Sequence, residues 1–243
     1  MTAQQDTTMN ALIVGGNGGL GLELVKQLLA RENSTRIVAT YHRQRPAFSH
    51  PNLTWQALDV TDEAAIEKVW PGDQPLDLLV YAVGFLHTED RLPEKTIRRF
   101  SSDLFLQSIH INTLPALLLA HHLQPALKLS PSPRYVAISA RVGSITENRK
   151  GGWYSYRTSK AALNMALKTL SIEWGVALPR ACVALLHPGT AATPLSHPFQ
   201  SSITPETLFS ASHSAGLLLA NIDRLTPKNS GQFWSWDGSP LPW

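Results

Sequence analysis

The chain has 243 residues, 43% of them hydrophobic and 16% charged, with a formal net charge of +3. That composition supplies a large apolar core and excludes wholesale disorder. A net charge this small on a body this size gives no nucleic-acid footprint. The longest apolar run, Leu114–Ala120, is too short to span a bilayer. With one cysteine, Cys182, no internal disulfide can form, which suits a reducing, cytoplasmic setting.

In chain order, residues 1–10 read as a polar, flexible leader without a signal-peptide pattern, and 11–243 as a single domain. Ala11–Gly15 is expected as a buried strand, followed by a helix over Gly19–Arg31 with Leu20, Leu24, Leu28 and Leu29 on one face. Strands are expected at Arg36–Thr40 and Leu53–Val60. A helix then runs from Thr61, its N-cap, to Trp70. Leu76–Val83 reads as a fourth strand, Leu104–Leu129 as one long helix, and Arg134–Ser139 as a fifth strand. A helix over Trp153–Ala177, a strand over Ala181–His187, a helix over Thr207–Ala220 and a last strand over Gly231–Trp236 complete the pattern. The strands are continuous apolar runs alternating with helices. Both features predict an α/β fold of the Rossmann type: a doubly wound parallel sheet of about seven strands with helices on both faces. Ligands of such sheets bind outside the carboxyl ends of the strands. The polar, Pro-rich stretch Ala192–Pro205 reads as a mobile lid over that crevice.

Two motifs fall at expected strand ends. Gly15-Gly16-Asn17-Gly18-Gly19-Leu20-Gly21 joins the first strand to the first helix. Glycines there let the backbone turn tightly and approach a pyrophosphate held at the helix N-terminus. The spacing reads best as G-x-x-x-G-x-G through Gly15, Gly19 and Gly21. The second motif is Tyr156-x-x-x-Lys160, which puts a phenol and an ammonium on one helical face. The ammonium favours the phenolate; bringing a phenol from its usual value toward neutrality needs roughly 4 kcal/mol. Such a tyrosine can pass a proton to or from a carbonyl or alcohol oxygen.

Together with Leu58-Asp59-Val60, Asn112 and Pro188-Gly189 followed by Thr193, these motifs make the chain resemble the short-chain dehydrogenase/reductases over nearly its whole length. Within that family it is most similar to the C-factor and sniffer-type carbonyl reductases. The marks are Gly143-Ser144-Ile145, Tyr154-x-Tyr156-Arg157-x-Ser159-Lys160 and the terminal Trp236-Asp237-Gly238. The resemblance implies an oxidoreductase moving a hydride between a nicotinamide and a carbonyl or alcohol substrate. Tyr156 would be the acid/base, Lys160 would hold the nicotinamide ribose, and Asn112 would hold a water on the proton path. Gly15, Asn17, Gly18, Gly19, Leu20 and Gly21 would meet the cofactor phosphates, with Asp59 and Val60 at the adenine. Ala82, Val83 and Gly84 would lie along the ribose, and Pro188, Gly189, Thr190 and Thr193 at the nicotinamide.

This chain departs from the family pattern in two places. The family's catalytic serine stands three residues before a glycine, and counting back from Gly143 reaches Ala140. Ser139 is the candidate replacement, although adjacent strand residues point to opposite faces; Ser144 is the other nearby hydroxyl. Where the fourth strand ends, Tyr81-Ala82 stands in place of the family's asparagine motif. The residues after the second strand, Tyr41, His42 and Arg43, include no acid for a ribose 2′-hydroxyl and do include a cation for a 2′-phosphate. NADP is therefore expected over NAD. No histidine spacing suggests a metal site. The expected partner is a small molecule rather than nucleic acid or membrane. A homodimer or homotetramer through apolar outer faces at Leu117–Ala120 and Leu163–Leu170 follows by analogy. The alternative implied by the resemblance to C-factor, a developmental signal, is a cofactor-binding signalling or regulatory protein with little or no turnover.

Overall fold

The structure is a computed structural model, and the residues it describes are 8–31 and 35–243. Most of the expected leader lies outside them; Met9 and Asn10 already belong to the first strand. The elements are β1 (Met9–Val14), α1 (Gly19–Arg31), β2 (Thr35–Tyr41), β3 (Leu53–Ala57), α2 (Glu63–Glu67), β4 (Leu78–Tyr81) and α3 (Ser102–Asn112). There follow α4 (Leu114–Leu129), β5 (Arg134–Ile138), α5 (Tyr154–Ala177), β6 (Cys182–His187), β7 (Thr190–Ala192), β8 (Leu208–Ser210), α6 (Ala211–Asp223) and β9 (Gln232–Ser235).

Seven strands form one parallel sheet in the order β3-β2-β1-β4-β5-β6-β9. Its apolar runs serve two cores. In β1, Leu12 and Val14 enter the core shared with α2, α4 and α5, while Ala11 and Ile13 enter the core covered by α1 and α6. Alternation of side chains across a strand makes this double burial require an unbroken apolar sequence. The chain leaves β1 toward β2 and β3 and returns to β4, so the order reverses between β1 and β4, the position at which this class of sheet opens a crevice.

The expected long helix over Leu104–Leu129 is broken at Thr113, whose backbone (φ −120°, ψ −59°) ends α3 and starts α4. Pro115 supplies no N–H to Ile111, four residues back. The Tyr81 hydroxyl donates to the Ile111 carbonyl instead, which gives that departure from the family pattern a structural use. By length and apolar composition the stretch Ser102–Leu129 could cross a membrane, but Leu119, Leu123 and Leu127 are spent in the core. α2 is capped by Asp62, whose Oδ1 accepts from Ala65 N, rather than by Thr61. The expected helix from Thr207 starts at Ala211, because Leu208–Ser210 pair with Thr190–Ala192 in a small separate sheet. Beyond β9 the chain doubles back. Leu241 N donates to Phe233 O and Ser235 N to Ser239 O, so the closing residues run along the outer edge of the sheet.

Candidate active site

The glycine loop hangs from the end of β1. Gly15 has φ +84°, donates its N–H to Thr40 Oγ1 at 2.9 Å and accepts from Gly18 N at 3.1 Å. A Cβ at Gly21 would lie 2.1 Å from Gly15 O, so α1 can start this close to the turn only from glycine. A Cβ at Gly19 would lie 2.7 Å from Thr193 Cγ2, so the stretch after β7 sits directly on the loop.

Two cavities open beside this loop. The first, about 630 Å³, is lined by Gly15, Asn17, Gly18, Gly19 and Leu20, by His42, Asp59 and Val60, and by Ala82, Val83, Gly84 and Thr193. The second, about 960 Å³, is lined by Ser139, Tyr156, Lys160, Pro188, Gly189 and Thr190. Leu20, Ala82, Val83, Gly84, Thr193 and Leu195 are common walls, so an elongated ligand can run from one cavity into the other. Among the residues expected at a cofactor, Gly21, Tyr41 and Arg43 line neither cavity. Gly21 is behind the turn, Tyr41 sits edge-on against Trp55, and Arg43 is exposed with no acidic partner among the described residues. Asp59 Oδ1 accepts from the backbone and hydroxyl of Thr61, which holds its carboxyl below the usual range, and its Oδ2 lies 3.6 Å from His42.

Tyr156 belongs to the first turn of α5 and is 8% exposed; Lys160, one turn later, is 2% exposed. Burial disfavours the charged form of each group. It pushes the phenol above its ordinary value and pulls the ammonium down to about 8. The Lys160 Nζ donates to Ile138 O at 2.9 Å and stands 5.9 Å from the centre of the Tyr156 ring. Desolvation therefore governs the Tyr156 phenol here.

Asn112 lines neither cavity, and its amide is fully engaged. Oδ1 accepts from Phe85 N at 2.7 Å, while Nδ2 donates to Phe85 O at 2.8 Å and Ser159 Oγ at 2.9 Å. The side chain clamps the loop after β4 onto α5 and is not free to bind water. Ser139 Oγ, on the cavity wall, donates to Asn164 Oδ1 at 2.6 Å rather than into the cavity. The neighbouring cavity-wall residue is Ala140; Ser144 Oγ accepts from Glu147 N, and Ser144 does not line the cavity.

Other residues of the site carried no local signal in the sequence. Trp153, at the N-cap of α5, has a left-handed backbone and no side-chain cap. Glu94, 61 residues before Ser155, caps the helix instead: its carboxylate accepts from Ser155 N and Ser155 Oγ, and its carbonyl accepts from Trp153 N. The expected lid is folded down. His87 Nε2 meets Leu195 O at 3.2 Å, and Phe199 packs on the rings of His87 and Trp153. His187 accepts from Arg141 N on Nδ1, and burial pulls it down to about 4, so it is neutral.

A glycine cradle that a Cβ would fill, at the switch point of a parallel sheet and continuous with a cavity floored by Tyr156 and Lys160, fits a nicotinamide dinucleotide. Residues 9–203 match the short chain dehydrogenase family, and the chain belongs to it; it is an NAD(P)-dependent oxidoreductase. Over 240 residues it is 30% identical to a 1-hydroxy-2-glutathionyl-2-methyl-3-butene dehydrogenase of Rhodococcus sp. (strain AD45), covering 96% of this chain and 98% of that one. Among solved structures it superposes on an NADPH-bound carbonyl reductase from chicken fatty liver (TM-score 0.84, 27% identity, 97% and 99% of the two chains). It also superposes on the carbonyl reductase Sniffer of D. melanogaster (TM-score 0.83, 27% identity, 98% and 100%).

Proposed function

We propose that this chain is an NADP-dependent carbonyl reductase with Tyr156 as its acid/base. The observation that carries the reading is the buried Tyr156–Lys160 pair on the floor of a cavity continuous with the glycine cradle. Gly15, Asn17, Gly18, Gly19 and Leu20 would hold the diphosphate, Asp59 and Val60 the adenine, and Pro188, Gly189, Thr190 and Thr193 the nicotinamide end. His42 on the wall and the unpaired Arg43 just outside it suit a ribose 2′-phosphate, and β2 ends without an acid to prefer a 2′-hydroxyl. Bound there, the nicotinamide supplies the hydride to the carbonyl carbon.

In the reductive direction Tyr156 donates its phenolic proton to the substrate oxygen as the carbon–oxygen double bond becomes an alcohol. The buried phenol is well suited to that donor role, since burial keeps its proton on until an oxygen with developing negative charge is presented. Lys160, turned from Ile138 O toward a ribose hydroxyl, would bring its charge to the phenolate left behind. Asn112 would act by holding the loop after β4 against α5, its amide being spent on Phe85 and Ser159.

Ala140, with Ser139 tied to Asn164, favours the second reading of a cofactor-binding protein with little turnover. One assay decides between them: loss of NADPH absorbance with a panel of aldehydes, ketones and quinones, in the wild type and Tyr156→Phe. Turnover that falls about 10²–10⁴-fold in the variant, with NADPH still bound, is the expected result. Tight NADPH binding with no oxidation across the panel would support the signalling role, and tighter NAD than NADP binding would reverse the cofactor assignment.

A further inference from the structure

We infer that the cavity above Tyr156 takes a carbonyl compound that also carries a carboxylate or similar anion, gripped by Arg157 with Arg149 and Lys150 at the mouth. The inference rests on the reductase reading and narrows it to a substrate class.

Five cationic side chains, Arg141, Arg149, Lys150, Arg157 and Lys160, line this cavity against one carboxylate, Glu147. That local excess exceeds the net charge of the whole chain, +3, so the surplus is concentrated here. Two of the five are occupied. Arg141 forms a forked pair with Glu147 (2.6 and 2.9 Å), and Lys160 is turned to Ile138 O. The other three have no carboxylate partner among the described residues. Arg149 and Lys150 are exposed, and solvent alone can account for them.

Arg157 is different. It is half-buried, and its guanidinium is pinned by Nε to Gly152 O (3.1 Å) and Nη1 to Val142 O (3.2 Å), while Nη2 has no partner among the described residues. A partly desolvated, immobilised guanidinium without an anion is costly, and a bound carboxylate would offset that cost through charge-assisted hydrogen bonds. Arg157 and Tyr156 line the same cavity, so the anion and the reacting carbonyl can belong to one small molecule. The cofactor phosphates do not account for this cluster. Their glycine cradle lines the other cavity, and the walls common to both carry no cation.

The test compares 4-carboxybenzaldehyde with its neutral counterpart, methyl 4-formylbenzoate, using NADPH. Wild type is expected to favour the acid at least about 10-fold in kcat/KM at low salt, the size of one charge-assisted hydrogen bond. The preference should shrink as salt is added and fall to near parity in Arg157→Gln, through KM. Reading the ratio of the two substrates removes any general loss of activity from the comparison. Equal use of both compounds by wild type overturns the anion site and leaves the reductase standing. If neither is reduced, the aldehyde, ketone and quinone panel decides the reductase reading, and the anion site is read from quenching of tryptophan fluorescence in the NADPH-bound protein. There, tighter binding of the acid, dependent on Arg157, upholds the anion site, and equal binding overturns it. Should Arg157→Gln fail to fold, Arg149→Gln/Lys150→Gln and the salt series decide: an unchanged ratio in both overturns the proposal.

Discussion

Lys160 is held at 2% exposure, where its ammonium drops to about 8. An unfolded chain restores it to the usual lysine range, so between about pH 8 and 10.5 the unfolded state binds more protons and stability rises with pH. Below that window the full cost of burying the charge, about 3 kcal/mol, is borne by the fold. Lys160→Met should therefore be no less stable than wild type at pH 7 despite losing the bond to Ile138 O, and should lose ground to wild type by pH 10. Thermal melts at the two pH values check this. At Gly21 the expectation is simpler. A methyl placed 2.1 Å from Gly15 O forces the turn apart, so Gly21→Ala should weaken NADPH binding more than 10-fold by titration and lower the melting temperature.

The start of α5 carries the reacting tyrosine, and its capping comes from outside the helix. A carboxylate at a helix N-terminus is stabilised by the exposed N–H groups and the helix dipole. Glu94→Ala removes that partner from Ser155 and should cost about 1–2 kcal/mol, in line with loss of a cap. Because Tyr156 follows Ser155 directly, kcat should fall further than NADPH affinity; stopped-flow binding and steady-state rates measured together check the split. Nothing in residues 150–156 announced this support, because its source is 61 residues away in a loop whose composition reads as ordinary surface.

Features governed by local periodicity could be read beforehand: β1, α1, β5, β6 and α5 begin and end within two residues of expectation. The glycine spacing and the Tyr156–Lys160 face were legible for the same reason. The break at Thr113 had its signal in Pro115, since a proline disfavours helix in the residues before it, but the apolar run over Leu114–Ala120 masked it. β7 and β8 were not legible, being three-residue strands stabilised by each other across the lid. The use of Ser139 depended on Asn164, a partner on another element, and no spacing along the chain could reveal it.

For the molecule as a whole, a ligand that binds only the folded state raises stability by mass action. NADPH at about 100 times its dissociation constant should add about 2.7 kcal/mol, a rise of about 5–10 °C in melting temperature at this chain length. NAD at the same concentration should give less. Association is expected through helices. The interface read into Leu163–Leu170 needs correction, because Leu163, Leu167 and Leu170 are buried in the chain's own core. Apolar side chains left exposed on neighbouring helices include Leu106 on α3, Leu114, Leu117 and Leu129 on α4, and Tyr154, Met165, Ile172 and Val176 on α5. A homodimer through that face should appear in light scattering and dissociate in Met165→Glu/Ile172→Glu. The doubled-back residues after β9 bear on the same question from the opposite direction. By occupying the Phe233 carbonyl and the Ser235 N–H, they take away part of the template a foreign strand would need at that border. Fibre growth by strand annealing is hindered there, and joining on that flank favours complementary side-chain surfaces.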